Sequence, residues 1–157
     1  PAMHDTNLLQ LITDDLAPAQ RLLELLRTES LALHGRDMQL LEEILAQKQA
    51  MIIELEQHGR KRSELLASLN LPANRSGLEQ LASQSSVGEA LLAQSDVLTD
   101  LLAQCHAANA NNGQSILVQQ AATATQLRIL NGGEQPALYD ASGSFSRLVK
   151  PRPLSQA

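Results

Sequence analysis

Three observations predict an all-α fold. The chain is 43% hydrophobic over 157 residues, and Leu and Ala carry most of that share. With Gln and Glu they are strong helix formers, while the β-branched and aromatic residues that strands favour are scarce. The apolar positions also recur at steps of three and four, the spacing of one helix face. No Phe, Tyr or Trp precedes Tyr139, and a core of Leu, Ala and Met suits narrow helix–helix seams. The expected architecture is an elongated antiparallel bundle of three long helices with coiled-coil-like packing. Helices over about 5–34, 37–69 and 88–130 and a connector over 70–88 make residues 1–133 a bundle domain, followed by a flexible tail over 134–157.

In the first helix Leu9, Ile12, Leu16, Ala19, Leu23, Leu26, Ser30 and Leu33 form one stripe. Pro18 interrupts it. A proline inside a helix costs about 3 kcal/mol but costs little in a first turn. A short helix near 5–13, a junction or kink with Asp14 or Asp15 as cap, and a helix over 15–34 are expected. Gly35 can take the left-handed conformation past the helix end, and Asp37 can cap the next helix. A gap this short makes the next helix an antiparallel neighbour, unless the two run on with a bend. The second helix carries Met38, Leu41, Leu45, Lys48, Ile52 and Leu55, with Leu66 and Leu69 resuming the spacing. Lys48, Gly59 and Arg62 weaken that stripe, so either the seam shifts there or the helix end projects beyond its partner. Pro72 ends this helix. Within the connector, Ser76 and Glu79 have the spacing of a capping box for one short helix. The third long helix carries Leu91, Leu98, Leu102 and Cys105.

Beyond Cys105 the helical face thins. Ile116, Gln120, Thr123, Leu127 and Leu130 form one row, with Leu117, Ala121 and Ala124 beside it. Ala and Thr bury little apolar area, so such a face is sticky without locking firmly. Asn112–Gly113 is a turn signal, and either a loop or a weakened continuous helix fits it. The tail is rich in Pro, Ser, Gly and Gln. It holds both aromatics, Tyr139 and Phe145, near Arg147, Lys150 and Arg152. Aromatics and Arg are enriched in binding anchors. A linear binding segment is the favoured reading, and Tyr139 folding back over the bundle end is the alternative.

A net charge of −5 argues against nucleic acid as the main partner. The basic run at 60–62 reads as a solvated helix face. No apolar run is long enough for a membrane span, and no secretory signal is visible. One cysteine excludes an internal disulfide and fits a reducing cytoplasm. The chemistry of an enzyme is missing as well. His4, His34, His58 and His106 include no pair spaced for a metal, and no nucleophile or phosphate-loop motif occurs. Cys105 reads as a small apolar core filler. Glu42 and Glu43 read as solvated surface. No enzyme activity, metal or cofactor is expected.

The segment Asn109, Asn112, Gly113, Ile116, a Leu-bearing helix to Leu130, a glycine pair, then Leu138–Tyr139 and Gly143, resembles the C-terminal signature of FlgN-type flagellar export chaperones. The Leu-rich first helix, Gly35 and Asp37 at the junction, and Leu41, Lys48 and Leu55 fit the same family, though any Leu heptad matches that half. The resemblance covers roughly 8–143 and offers no account of Pro18 or of the break at 131–133. It implies a small cytoplasmic helical chaperone of the flagellar type III export system. Such a protein binds the hook–filament junction proteins FlgK and FlgL, prevents their premature assembly and delivers them to the export gate component FlhA. It places client binding on the C-terminal helix, at Asn112, Ile116, Leu117, Gln120, Ala124, Leu127 and Leu130. Gate docking falls to Leu138, Tyr139, Gly143 and Phe145. The competing readings are a self-associating structural coiled coil and an adaptor with a C-terminal linear motif.

Overall fold

Leu and Ala at three- and four-residue steps give helices wherever Pro or a turn residue does not stop them. The computed structural model describes residues 2–130, with side chains for residues 3–118 and for Ala121. In chain order the helices are α1 (Ala2–Gly35), α2 (Met38–Ser68), α3 (Arg75–Ser83) and α4 (Gly88–Leu130), with no strand among the described residues. The bundle thus has four helices rather than three, because the connector folds its own short helix.

Polar contacts fix the topology. Ser85 meets Asp5, Cys105 meets Ala19 and Asn112 meets Leu26, so α4 runs parallel to α1. Arg62 meets Asp15 and Lys48 meets Glu29, so α2 runs antiparallel to it. The central helix is α1, which packs along both α2 and α4, while α3 packs on α4. An up–down–up path follows, with α3 spanning the crossover at one end.

Pro18 does not break α1, which is continuous through it. The missing N–H leaves one gap in the ladder. Burial of Ile12, Ala19, Leu22, Leu23 and Leu26 on either side holds the helix together against that cost. Pro18→Ala is expected to raise the unfolding free energy by about 1–3 kcal/mol, measured by chemical denaturation.

The left-handed residue at the α1–α2 turn is Arg36 (φ 54°), not Gly35, which closes α1 as its last helical residue. The N–H of Asp37 donates to Ala32 O at 3.0 Å. Its carboxylate accepts from Leu40 N at 3.1 Å, the expected cap. The cap of α3 is Asn74, whose side chain accepts from Gly77 N at 3.1 Å. Ser76 lies inside the helix, and Glu79 pairs with Arg75 instead of closing a capping box.

Leu78 and Ala82 bury one face of α3. The approach is close: a Cβ on Gly77 would lie 1.8 Å from Pro72 O, and one on Gly88 would lie 2.1 Å from Ala82 O. Both neighbours are backbone and cannot rotate away. Gly77→Ala is expected to cost about 2–3 kcal/mol, as overpacking does. Hydrogen exchange of α3 amides should rise before that of α1, and exchange rising equally in both would refute this reading.

The core consists of apolar layers separated by polar ones. Leu8, Ile12, Ala19, Leu66, Leu78, Leu91 and Leu98 form one apolar cluster. Leu22, Leu23, Leu26, Leu55 and Cys105 form the other. Along α1 the acids Asp5, Asp15 and Glu29 are buried before, within and after these clusters. The expected stripe is therefore displaced by part of a turn. Ile12, Ala19, Leu23, Leu26 and Leu33 are central, Leu9, Leu16 and Ser30 are half-buried at the edge, and Leu8, Asp15, Leu22 and Glu29 share the centre.

Cys105 is fully buried, as expected of a filler, with its Sγ 3.4 Å from Ala19 O. Burial pushes its thiol up to about 11. A thiol reagent at neutral pH should therefore react only through unfolding. The sign for stability follows. A raised folded value favours the folded state fully below the ordinary 9.0, and that contribution is lost as pH rises through about 11. The unfolding free energy of the wild type should fall relative to that of Cys105→Ala across this window.

Candidate interaction site on the fourth helix

Two ionic layers sit where the sequence stripe of α2 is interrupted. In the first, Asp15 is fully buried and accepts from the Arg62 guanidinium through Oδ2. Its Oδ1 accepts from His58 Nδ1 at 2.5 Å. The seam therefore neither shifts nor ends at Arg62. A buried acid on α1 meets two bases on α2, and Gly59 lies buried between them. Only Arg60 and Lys61 of the basic run are exposed.

The second layer joins three helices. Lys48 Nζ donates to both oxygens of Glu29, at 3.2 and 2.9 Å, and to Asn109 Oδ1 at 3.1 Å. Asn112 Nδ2 donates to Glu29 Oε1 at 2.8 Å and to Leu26 O at 2.9 Å. Asn112 is 4% exposed. Its side chain thus faces the core, so in this arrangement it positions α4 rather than offering a surface. The sequence signal for both layers is the cation at a seam position of α2, Lys48 and Arg62; Asp15 and Glu29 lie off the apolar stripe read for α1.

Above this layer α4 runs on past the end of α1. The contacts of Cys105 with Ala19 and of Asn112 with Leu26 span the same separation of 86 residues. That register brings Gly35, the end of α1, level with residue 121. The helix continues to Leu130, about nine residues or roughly 14 Å further. Ile116 and Leu117 are half-buried, and Val118 is 62% exposed. Gln120, Ala124, Leu127 and Leu130 lie on the α4 backbone beyond the described side chains. Leu138, Tyr139, Gly143 and Phe145 lie outside the described residues. The helix continues through Asn112 and Gly113, so no loop separates two helices there.

A concavity of about 540 Å³ lies between α2 and α4 on a floor of Leu8 and Ile12. Its charged rim residues already have partners: Arg62 on Asp15, and Arg75 on Asp96. Among the described residues no helix is long and apolar enough to cross a membrane.

No curated protein matches the chain in sequence. A crystal structure of a chain from Pseudomonas aeruginosa, which bears the name flagella synthesis protein FlgN, is similar in fold at a TM-score of 0.67 and 37% identity. The match covers 79% of this chain and 95% of that one. The family model for FlgN protein matches residues 3–147. Matched over nearly its whole length, with the paired asparagines of its C-terminal signature set into the three-helix layer, the chain belongs to the FlgN family.

Proposed function

We propose that the protein is a cytoplasmic chaperone of flagellar type III export. It binds the hook–filament junction proteins FlgK and FlgL, keeps them from assembling early and brings them to the gate component FlhA. Its work is binding and release, not catalysis. The observation that carries this reading is the run of α4 past the end of α1. A helix whose apolar row starts beside α1 at 116 and 120 and runs past its end at 123, 127 and 130 can lend that row to a partner helix. Ile116, Leu117, Gln120, Ala124, Leu127 and Leu130 are the proposed client contacts. Leu138, Tyr139, Gly143 and Phe145 are the proposed gate contacts. Membership of the FlgN family supports both assignments.

The test is calorimetric titration of FlgK and FlgL with the full chain, a chain ending at residue 121 and a chain ending at residue 133. Ending at 121 leaves the Glu29–Lys48–Asn112 layer intact, so the bundle should still fold. Client binding should survive in the 133-residue chain and be lost in the 121-residue chain. Only the full chain should bind FlhA with client in place. A well-folded full chain that binds neither client would refute the proposal.

A further inference from the structure

Gly77 and Gly88 have steric reasons to be glycine, since a Cβ at either would collide with backbone. Gly113 has none, because a Cβ there would meet nothing within 4 Å. It nevertheless sits inside a 43-residue helix, where glycine is among the least favourable residues. It directly follows Asn111 and Asn112, two more poor helix formers. Packing does not explain this weak point.

Its position in the fold does. Asn109 and Asn112 fasten α4 to Lys48, Glu29 and the Leu26 carbonyl. One residue later comes Gly113, the residue type of lowest helix propensity in the interior of α4. Beyond it, Ile116 and Leu117 are only half-buried, Val118 is exposed, and α1 ends level with residue 121. A clamp, a soft residue and a stretch with dwindling contacts therefore follow one another along α4.

We propose that Asn112 and Gly113 divide α4 into a clamped stem and a pivoting arm, and that client capture uses the pivot. Asn112 and Gly113 are then positioning residues and touch no client. The clamp stops any bend from spreading into the stem, so the core layers at Cys105 and Leu98 keep their packing while the arm swings. The arm exchanges the partial burial of Ile116 and Leu117 for the client's apolar face. The pivot itself is a property of the chain alone. Its use in capture rests on the chaperone reading above.

Gly113→Ala tests this cleanly, because the added methyl has open space and folding is not at risk. Helix propensity alone shifts a straight-to-bent equilibrium about fourfold towards straight. In the free full-length protein, hydrogen exchange of amides at 113–118 should slow by about that factor, and exchange in the stem at 98–108 should be unchanged. Affinity for FlgK or FlgL should weaken by up to the same factor, although the variant is at least as stable as wild type. Unchanged exchange at 113–118 overturns the pivot, whatever the client does. Slowed exchange with unchanged or tighter client binding overturns the role in capture and leaves a merely structural glycine. If wild type binds neither client, the chaperone reading fails by itself, and the exchange result still decides the pivot.

Discussion

Asp15→Ala should destabilise the protein by about 3–4 kcal/mol, among the largest effects of any single substitution in the chain. Removing one partner of a buried ion pair strands the other. Here Asp15 is fully buried, and the Arg62 side chain is only 15% exposed. The His58 ring, 29% exposed, loses its acceptor too. The stranded guanidinium must either stay desolvated or swing out and leave a void beside Gly59. At roughly 2–4 °C per kcal/mol for a domain of this size, the Tm should drop by about 10 °C. The double variant Asp15→Leu with Arg62→Met keeps the volume and removes both charges. It should recover most of the loss, since apolar replacement of a buried pair is often neutral or stabilising. Equal loss in the single and double variants would show that the pair is not coupled and that the cost lies elsewhere in the seam.

This prediction also marks where the sequence stopped being legible. The ends of α1, α2 and α4 could be read closely, because helix ends are local chemistry: Asp37 as cap, Pro72 as stop, Gly88 as start. Leu26, Leu55, Leu91 and Leu98 could be placed in the core because apolar spacing is also local. Asp15 and Glu29 could not. Asp15 reads in the sequence as a possible cap before Pro18 and Glu29 as nothing in particular, because their partners Arg62 and Lys48 lie 47 and 19 residues away. The same gap in knowledge made Lys48 and Arg62 look like flaws in the α2 stripe. Pro18 and Asn112–Gly113 suggested breaks because propensity weighs each residue alone. In the fold, burial on both sides carries α1 through Pro18, and the three-helix layer holds α4 just before Gly113. Of the candidate site, the row from Ile116 to Leu130 was legible as a thin face. What could not be read was that α1 ends level with its middle, since that depends on the register between two helices far apart in sequence.

Glu29→Ala should cost about as much as Asp15→Ala, again about 3–4 kcal/mol, with different consequences along the chain. Glu29 is the hub of its layer, accepting from Lys48 on α2 and from Asn112 on α4. Its removal leaves the Lys48 ammonium, 12% exposed, without its counter-charge, and leaves Asn112 with only the Leu26 carbonyl. Two helices are loosened by one change, whereas Asp15→Ala loosens only α2. Hydrogen exchange separates the two cases. Glu29→Ala should raise exchange in α2 around Lys48 and in α4 from about residue 105 onward. Asp15→Ala should raise it in α2 around Arg62 and leave α4 near Asn112 as it is. Glu29→Gln keeps an acceptor for Asn112 but no charge for Lys48, so it should restore protection in α4 while α2 stays loosened. If Glu29→Gln loosened both helices equally, the hydrogen bond from Asn112 would not be what fastens α4. The clamp below Gly113 would then have to reside in the Lys48–Asn109 bond and the apolar contacts of Cys105 and Ala108.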